Sequence, residues 1–206
     1  MNKLIIIPIF IVSVVVIISS LLVYDTPPEP KPIYDSGFTY YDIEKIQDSL
    51  TKQNIFVSAP APITDHTIGQ YCTFFENGLP HTVEYCTTTA VLDSEGIPLG
   101  NINLGGDIQS PIMAVANIET KTLNSNPDEI SAIFETMIKN LVCDCWEEKS
   151  ADYPSITAWL ESAQKFYSDS DGRNIKSKID NLNGYEIILE ITSKENSVLQ
   201  TLVVLK

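Results

Sequence analysis

Tyr185-Glu-Ile-Ile-Leu-Glu-Ile-Thr192 and Val198-Leu-Gln-Thr-Leu-Val-Val-Leu205, separated by Lys194-Glu-Asn-Ser197, are the most informative stretch of the chain. Tyr185, Ile187, Leu189 and Ile191 alternate with Glu186 and Glu190, the period of two that marks a strand with one buried face. The polar residues between the two runs make them a hairpin. A chain that closes on such a hairpin contains an antiparallel sheet, and the preceding segments must supply the layer that covers it.

Two helices upstream fit that role. Asn126-Pro-Asp-Glu129 places a capping side chain, a proline at the first helical position and two acids at the positive end of the dipole. Ile130, Ile133, Phe134, Met137, Ile138, Leu141 and Val142 then form one apolar stripe. Ser155–Tyr167 repeats the pattern with Ile156, Trp159, Leu160, Ala163 and Phe166. Ile175, Ile179 and Leu182 predict a short third helix ended by Asn183-Gly184. Residues 41–53, with Asp42 as cap, predict an earlier helix carrying Ile43, Ile46 and Leu50.

Further strands are expected near 55–58, 97–104 and 112–118, with Asp93–Gly96 and Gly105-Gly106-Asp107 as turns. Residues 68–76 and 82–92, rich in Tyr, Phe, Thr and Val around Asn77-Gly78-Leu79-Pro80, predict a β-hairpin. Strands first, helices in the middle and a returning hairpin give an α+β class: a mainly antiparallel sheet with helices packed on one face.

The N-terminal part is different. Leu4–Val23 is uncharged and apolar, and about twenty helical residues cover roughly 30 Å, the hydrocarbon thickness of a bilayer. Residues 1–3 are expected in the cytoplasm, 4–23 as a transmembrane signal anchor, 24–37 as a proline-rich stalk and 38–206 as one extracytoplasmic domain. Lys3 and the terminal amine against Lys31 set this orientation. A cleaved signal peptide is the rival, but the run exceeds the usual h-region, and Ile18 stands where a small residue is wanted beside Ser19-Ser20. Either way the domain lies outside the cytoplasm, and the signal anchor would hold it at the cell membrane. The Ile, Asn and Lys content with a single arginine, Arg173, suggests a prokaryotic source.

There are 27 acidic and 13 basic side chains among 206 residues, a net charge of -14. After Lys3 the balance is 27 against 12, a net -15 on the exported part. Nucleic acid is excluded as a partner, since no Lys/Arg cluster is present to release its counterions. The partners expected are the membrane, through the N-terminal helix, and an envelope protein.

Cys72, Cys86, Cys143 and Cys145 are an even set in an exported chain and are expected as structural disulfides. A hairpin centred on Leu79 sets Cys72 opposite Cys86, within bonding reach. A tight Asn77-Gly78 turn would push Cys72 and Cys86 out of register, and Pro80 in the ladder argues against it. If the long helix runs through Cys143 and Cys145, they face opposite ways; if it stops near Val142, both could reach the hairpin. The alternatives are a metal or thiol redox centre of the four cysteines with His81, and weaker metal candidates at His66, His81, Asp169 and Asp171. Asp169-Ser-Asp-Gly-Arg-Asn174 resembles part of an acidic calcium loop but reads first as a turn. No Gly-x-Ser-x-Gly elbow, His-Glu-x-x-His or phosphate loop occurs, and Glu147-Glu148 read as solvated. The sequence thus points to a binding or interaction module rather than an enzyme, with no catalytic residue and no cofactor expected.

Overall fold

A computed structural model of the chain describes residues 37–76, 79–149 and 152–206. The expected span over 4–23 and the stalk up to residue 36 lie outside these. Among the described residues no helix is long and apolar enough to cross a membrane.

The elements are, in order, α1 (Asp42–Thr51), β1 (Phe56–Val57), β2 (Ala61–Pro62), α2 (Asp65–Tyr71), β3 (Thr73–Glu76), β4 (Leu79–Thr82), β5 (Tyr85–Leu92), β6 (Pro98–Gly106), β7 (Pro111–Thr120), α3 (Pro127–Leu141), α4 (Trp146–Lys149), α5 (Ile156–Asp169), β8 (Ile175–Leu182), β9 (Tyr185–Ser193) and β10 (Val198–Leu205). The large sheet runs β1-β5-β6-β7-β10-β9-β8, with β2 also on β5, and β3 and β4 form a separate pair. Every pairing is antiparallel. The C-terminal hairpin therefore reaches the middle of the sheet, where β10 pairs β7 from Val198↔Thr120 to Leu205↔Met113.

One face of the sheet carries the main core. Ile102, Leu104, Ala114, Ala116, Ile118, Leu189, Leu202 and Val204 pack there against Ile46 and Leu50 of α1, Phe134 and Met137 of α3 and Trp159 of α5. Trp159 is fully buried, donates from Nε1 to Ser177 Oγ at 2.8 Å and lies 5.7 Å from the Trp146 ring. Such a side chain stabilises by its apolar area while its one polar atom stays satisfied. Gly100 permits close strand packing, because a Cβ there would run into the backbone carbonyl of Asn117.

Several local expectations are corrected. Residues 175–182 form a strand, not a third helix. A spacing of four suits either period, but Lys176 and Lys178 alternate with Ile175, Ser177 and Ile179, and they pair across the strand with Glu190 at 3.0 Å and Glu186 at 2.7 Å. Asn183-Gly184 is the turn of that hairpin, with φ of 56° and 86°, rather than a helix cap. Residues 65–71 are helical, so the strand expected over 68–76 begins only at Thr73; Ile68 and Cys72, one helical turn apart, both belong to a buried cluster. Gly105 and Gly106 end β6, and the turn that follows is held by Asp107, whose carboxylate accepts from Gln109 N at 2.7 Å and Ser110 N at 2.6 Å.

The caps differ in detail as well. Asn126 precedes α3 at φ 55° without a side-chain cap bond, since the residue before proline avoids the right-handed region and asparagine tolerates the left-handed one. Asp42 sits inside the first turn of α1 and reaches back to Thr39 N at 2.7 Å. Ser155 caps α5, accepting from Ala158 N at 3.1 Å.

The second face of the sheet is not bare. There α2 and the β3-β4 hairpin form a small flap, packing Ile68, Cys72, Val83 and Phe74 on Met113, Val115, Val203 and Leu205. Helices are thus not confined to one face: α1, α3 and α5 share one, and α2 sits on the other.

Candidate functional site

The flap is fixed by a disulfide. β3 and β4 adopt the tight register, Glu76↔Leu79 through Thr73↔Thr82, so Cys72 lies beside Val83, whose N–H donates to the Cys72 carbonyl at 3.3 Å. Pro80 is tolerated because it stands opposite Phe75, at a position one step beyond the pair that flanks the turn, where its missing N–H takes no ladder bond. After Val83 the chain passes into the large sheet, and Cys86 on β5 bonds Cys72 with the Cα atoms 6.3 Å apart. The expected pair is present, but it joins flap to sheet instead of spanning a hairpin ladder. Both half-cystines are fully buried, and Gly105 opposite Cys86 leaves the room, since a Cβ there would lie 3.0 Å from Cys72 Sγ.

Cys143 and Cys145 bond each other, Cα atoms 5.1 Å apart, neither reaching the hairpin nor facing apart. The cause is the end of α3 at Leu141, after which the chain leaves helical geometry and Asn183 Nδ2 holds the Val142 carbonyl at 3.2 Å. Both are half-buried. The two bridges belong to clusters on opposite faces of the sheet, so the four cysteines are not brought together.

Other candidate residues lie apart. His66 is exposed on α2; His81 is exposed on β4 with its ring 5.5 Å from that of Phe74. Asp169 and Asp171 are exposed at the end of α5. Their loop is a turn fastened to β9: Asp171 and Gly172 have positive φ, Asn174 Oδ1 accepts from Ser193 N at 2.9 Å, and Ser193 Oγ bonds the Gly172 carbonyl and, at 2.6 Å, Tyr167 Oη. Among the described residues no group of three His, Cys, Asp or Glu side chains comes together in a way that could hold a metal ion. Glu147 and Glu148 are exposed.

What the residue-by-residue reading missed is a row across the flap side of the sheet. Asn101↔Asn117, Asn117↔Thr201, Thr201↔Glu190 and Glu190↔Lys176 are successive cross-strand neighbours on β6, β7, β10, β9 and β8. Asn117 Nδ2 donates to Asn101 Oδ1 at 3.2 Å, Thr201 Oγ1 to Asn117 Oδ1 at 3.0 Å, and Lys176 Nζ meets Glu190 Oε1 at 3.0 Å. Asn103, fully buried, donates to the Tyr71 carbonyl at 3.3 Å, while its Oδ1 has no hydrogen-bond partner.

Two clefts open beside the flap. One of about 260 Å³ has Asn117, Thr201, Glu190 and Lys176 in its lining, with Phe74 and Phe75 from the flap. The other, about 530 Å³, is lined by Asn101, Thr88, Ser58 and Thr67 among others. Tyr71 lines both. A third cleft of about 610 Å³ lies at Tyr40, Tyr41, Tyr85 and Pro60. Burial, then the nearby Asp107 and Tyr85, push the Tyr40 hydroxyl above the ordinary tyrosine range, and it donates to the Asp107 carbonyl at 2.7 Å, so it stays protonated.

Set against known protein families, curated proteins and solved structures, the chain matches none. Function is therefore read from these clefts. They combine amides, hydroxyls and aromatic rings, a lining suited to holding a ligand.

Proposed function

We propose that the chain is a membrane-anchored binding module: residues 4–23 are a signal anchor, 24–37 a stalk, and 38–206 a domain outside the cytoplasm of a prokaryotic cell that holds an envelope component or partner protein. The observation that carries this reading is the pairing of all four cysteines into two disulfides, one inside the small core beneath the flap. Disulfides persist in oxidising compartments, which agrees with the apolar run and its flanking charges. Clefts lined by amides, hydroxyls and aromatic rings support binding as the activity.

The test is a full-length chain with an epitope tag after Lys206, expressed in a prokaryotic host. The reading expects the tag to be reached by antibody on cells or spheroplasts before lysis, and the protein to stay with membranes through an alkaline wash. A soluble protein whose tag is shielded until lysis, with alkylatable cysteines, would contradict it.

A further inference from the structure

From the row Asn101–Asn117–Thr201–Glu190–Lys176 and the flap aromatics beside it, we infer that the flap-side groove, made of the two clefts that Tyr71 borders, binds a neutral saccharide. This deepens the binding reading above by naming the ligand class and the site.

The row crosses five adjacent strands, which at about 4.8 Å per step makes a track of roughly 19 Å. Along it, side-chain donors and acceptors recur at strand spacing: amides at 101 and 117, a hydroxyl at 201, a carboxylate at 190 and an ammonium at 176. Each also has hydrogen-bonding capacity beyond the bonds within the row. Tyr71, 37% exposed, and Phe75, 65% exposed, flank the track with Phe74. A sugar ring has the matching character, with hydroxyls at its rim and an apolar C–H face that lies against an aromatic ring.

The other ligand classes fit less well. An apolar ligand would bury without partners the amide donors and acceptors that the bonds within the row leave over, at a cost of about 1–3 kcal/mol per group. An anion meets a domain of net charge -13 over residues 38–206, in which Lys176 is already neutralised by Glu190. A peptide strand binds backbone groups at a sheet edge, whereas this groove lies on a sheet face and presents side chains. Beneath this face Asn103, fully buried, holds the Tyr71 carbonyl through its Nδ2 and so fixes the position of that aromatic residue beside the track.

The test uses the full-length chain in lipid nanodiscs, because detergents with sugar headgroups would compete. The probes are immobilised neutral oligosaccharides of hexose and N-acetylhexosamine units, with uronic-acid and sulfated oligosaccharides as the acidic arm, followed by calorimetric titration of the strongest neutral binder. Binding of neutral probes is expected, weakened about tenfold by Phe75→Ala, which trims an exposed side chain and spares the core, and about tenfold by Asn117→Ala. Ile108→Ala, in the third cleft, is expected to leave it unchanged. No binding of neutral probes, preference for acidic ones, or full affinity in Phe75→Ala and Asn117→Ala overturns the inference. Capture of an envelope protein with no saccharide binding overturns it while leaving the binding reading intact; saccharide binding by a domain found in the cytoplasm does the reverse.

Discussion

Replacing Cys72 and Cys86 together by alanine removes the bridge between flap and sheet, and the structure sets the size of the effect. The bridge has a sequence separation of 14, and opening a loop of about 15 residues restores chain entropy to the unfolded state worth about 3 kcal/mol. Both half-cystines are fully buried, so little compensation comes from solvent. The second bridge, at a separation of 2, closes a loop for which the same relation gives about 1.6 kcal/mol. Guanidinium unfolding should therefore show Cys72→Ala/Cys86→Ala losing about twice the stability lost by Cys143→Ala/Cys145→Ala. The loss should also be local: amide exchange should rise over 64–84, which holds α2 and the β3-β4 hairpin, while β7, β9 and β10 keep their protection. A loss below about 1 kcal/mol with unchanged exchange in the flap would refute the reasoning, since the flap would then be held by Ile68, Phe74 and Val83 alone.

Three further outcomes are expected. Gly100→Ala should cost about 3 kcal/mol in thermal or chemical unfolding, because its Cβ meets the Asn117 carbonyl, whereas Gly96→Ala, at φ 80° with open space around it, should cost about 1 kcal/mol from backbone strain alone. Trp159→Phe should cost about 2 kcal/mol, through the lost bond to Ser177 and the space left by the smaller ring, and Ser177→Ala clearly less. For Asp42, burial alone would raise the pKa, but hydrogen bonds from Lys45, Thr39 N–H and Thr39 Oγ1 outweigh it and hold the carboxylate below its ordinary value of 3.8. A depressed folded-state pKa stabilises above that value and is lost as pH falls through and below it. Asp42→Asn should thus cost about 1–2 kcal/mol at pH 7, with the gap to wild type closing as pH falls below the ordinary carboxylate value in pH-dependent unfolding.

Much of the fold was legible because long elements carry their period openly. The stripe of α3, the capped α5 and the alternation in β9 each bury one face, and the sheet followed from them. The misreadings came from short segments where two periods coincide. Ile175, Ile179 and Leu182 suit a helix until the lysines between them are read as a second strand face, and Asn183-Gly184 fits a helix cap and a hairpin turn equally in sequence. In the Cys72–Cys86 segment the expected pair forms through a different register: β3 and β4 pair from Thr73↔Thr82 to Glu76↔Leu79, and the bridge forms because the chain changes sheets after Val83. Cys143 and Cys145 needed the exact end of α3, which sequence places only to within a turn. The polar row was hidden for another reason. Asn101, Asn103 and Asn117 are poor strand formers within strands, a local anomaly that could have flagged the face, but their alignment with Thr201, Glu190 and Lys176 depends on the registers of four strand pairs, one of which, β7 with β10, joins segments distant in sequence.

The most direct test of the central claim, an exported domain whose flap is pinned over the sheet by its own bridge, is peptide mapping by mass spectrometry under non-reducing conditions. The full-length protein would be recovered from host membranes with free thiols alkylated at lysis. Linked peptides joining Cys72 to Cys86 and Cys143 to Cys145, with no alkylated cysteine, are predicted. Four alkylated thiols, or a bridge from Cys143 or Cys145 to Cys72 or Cys86, would contradict it.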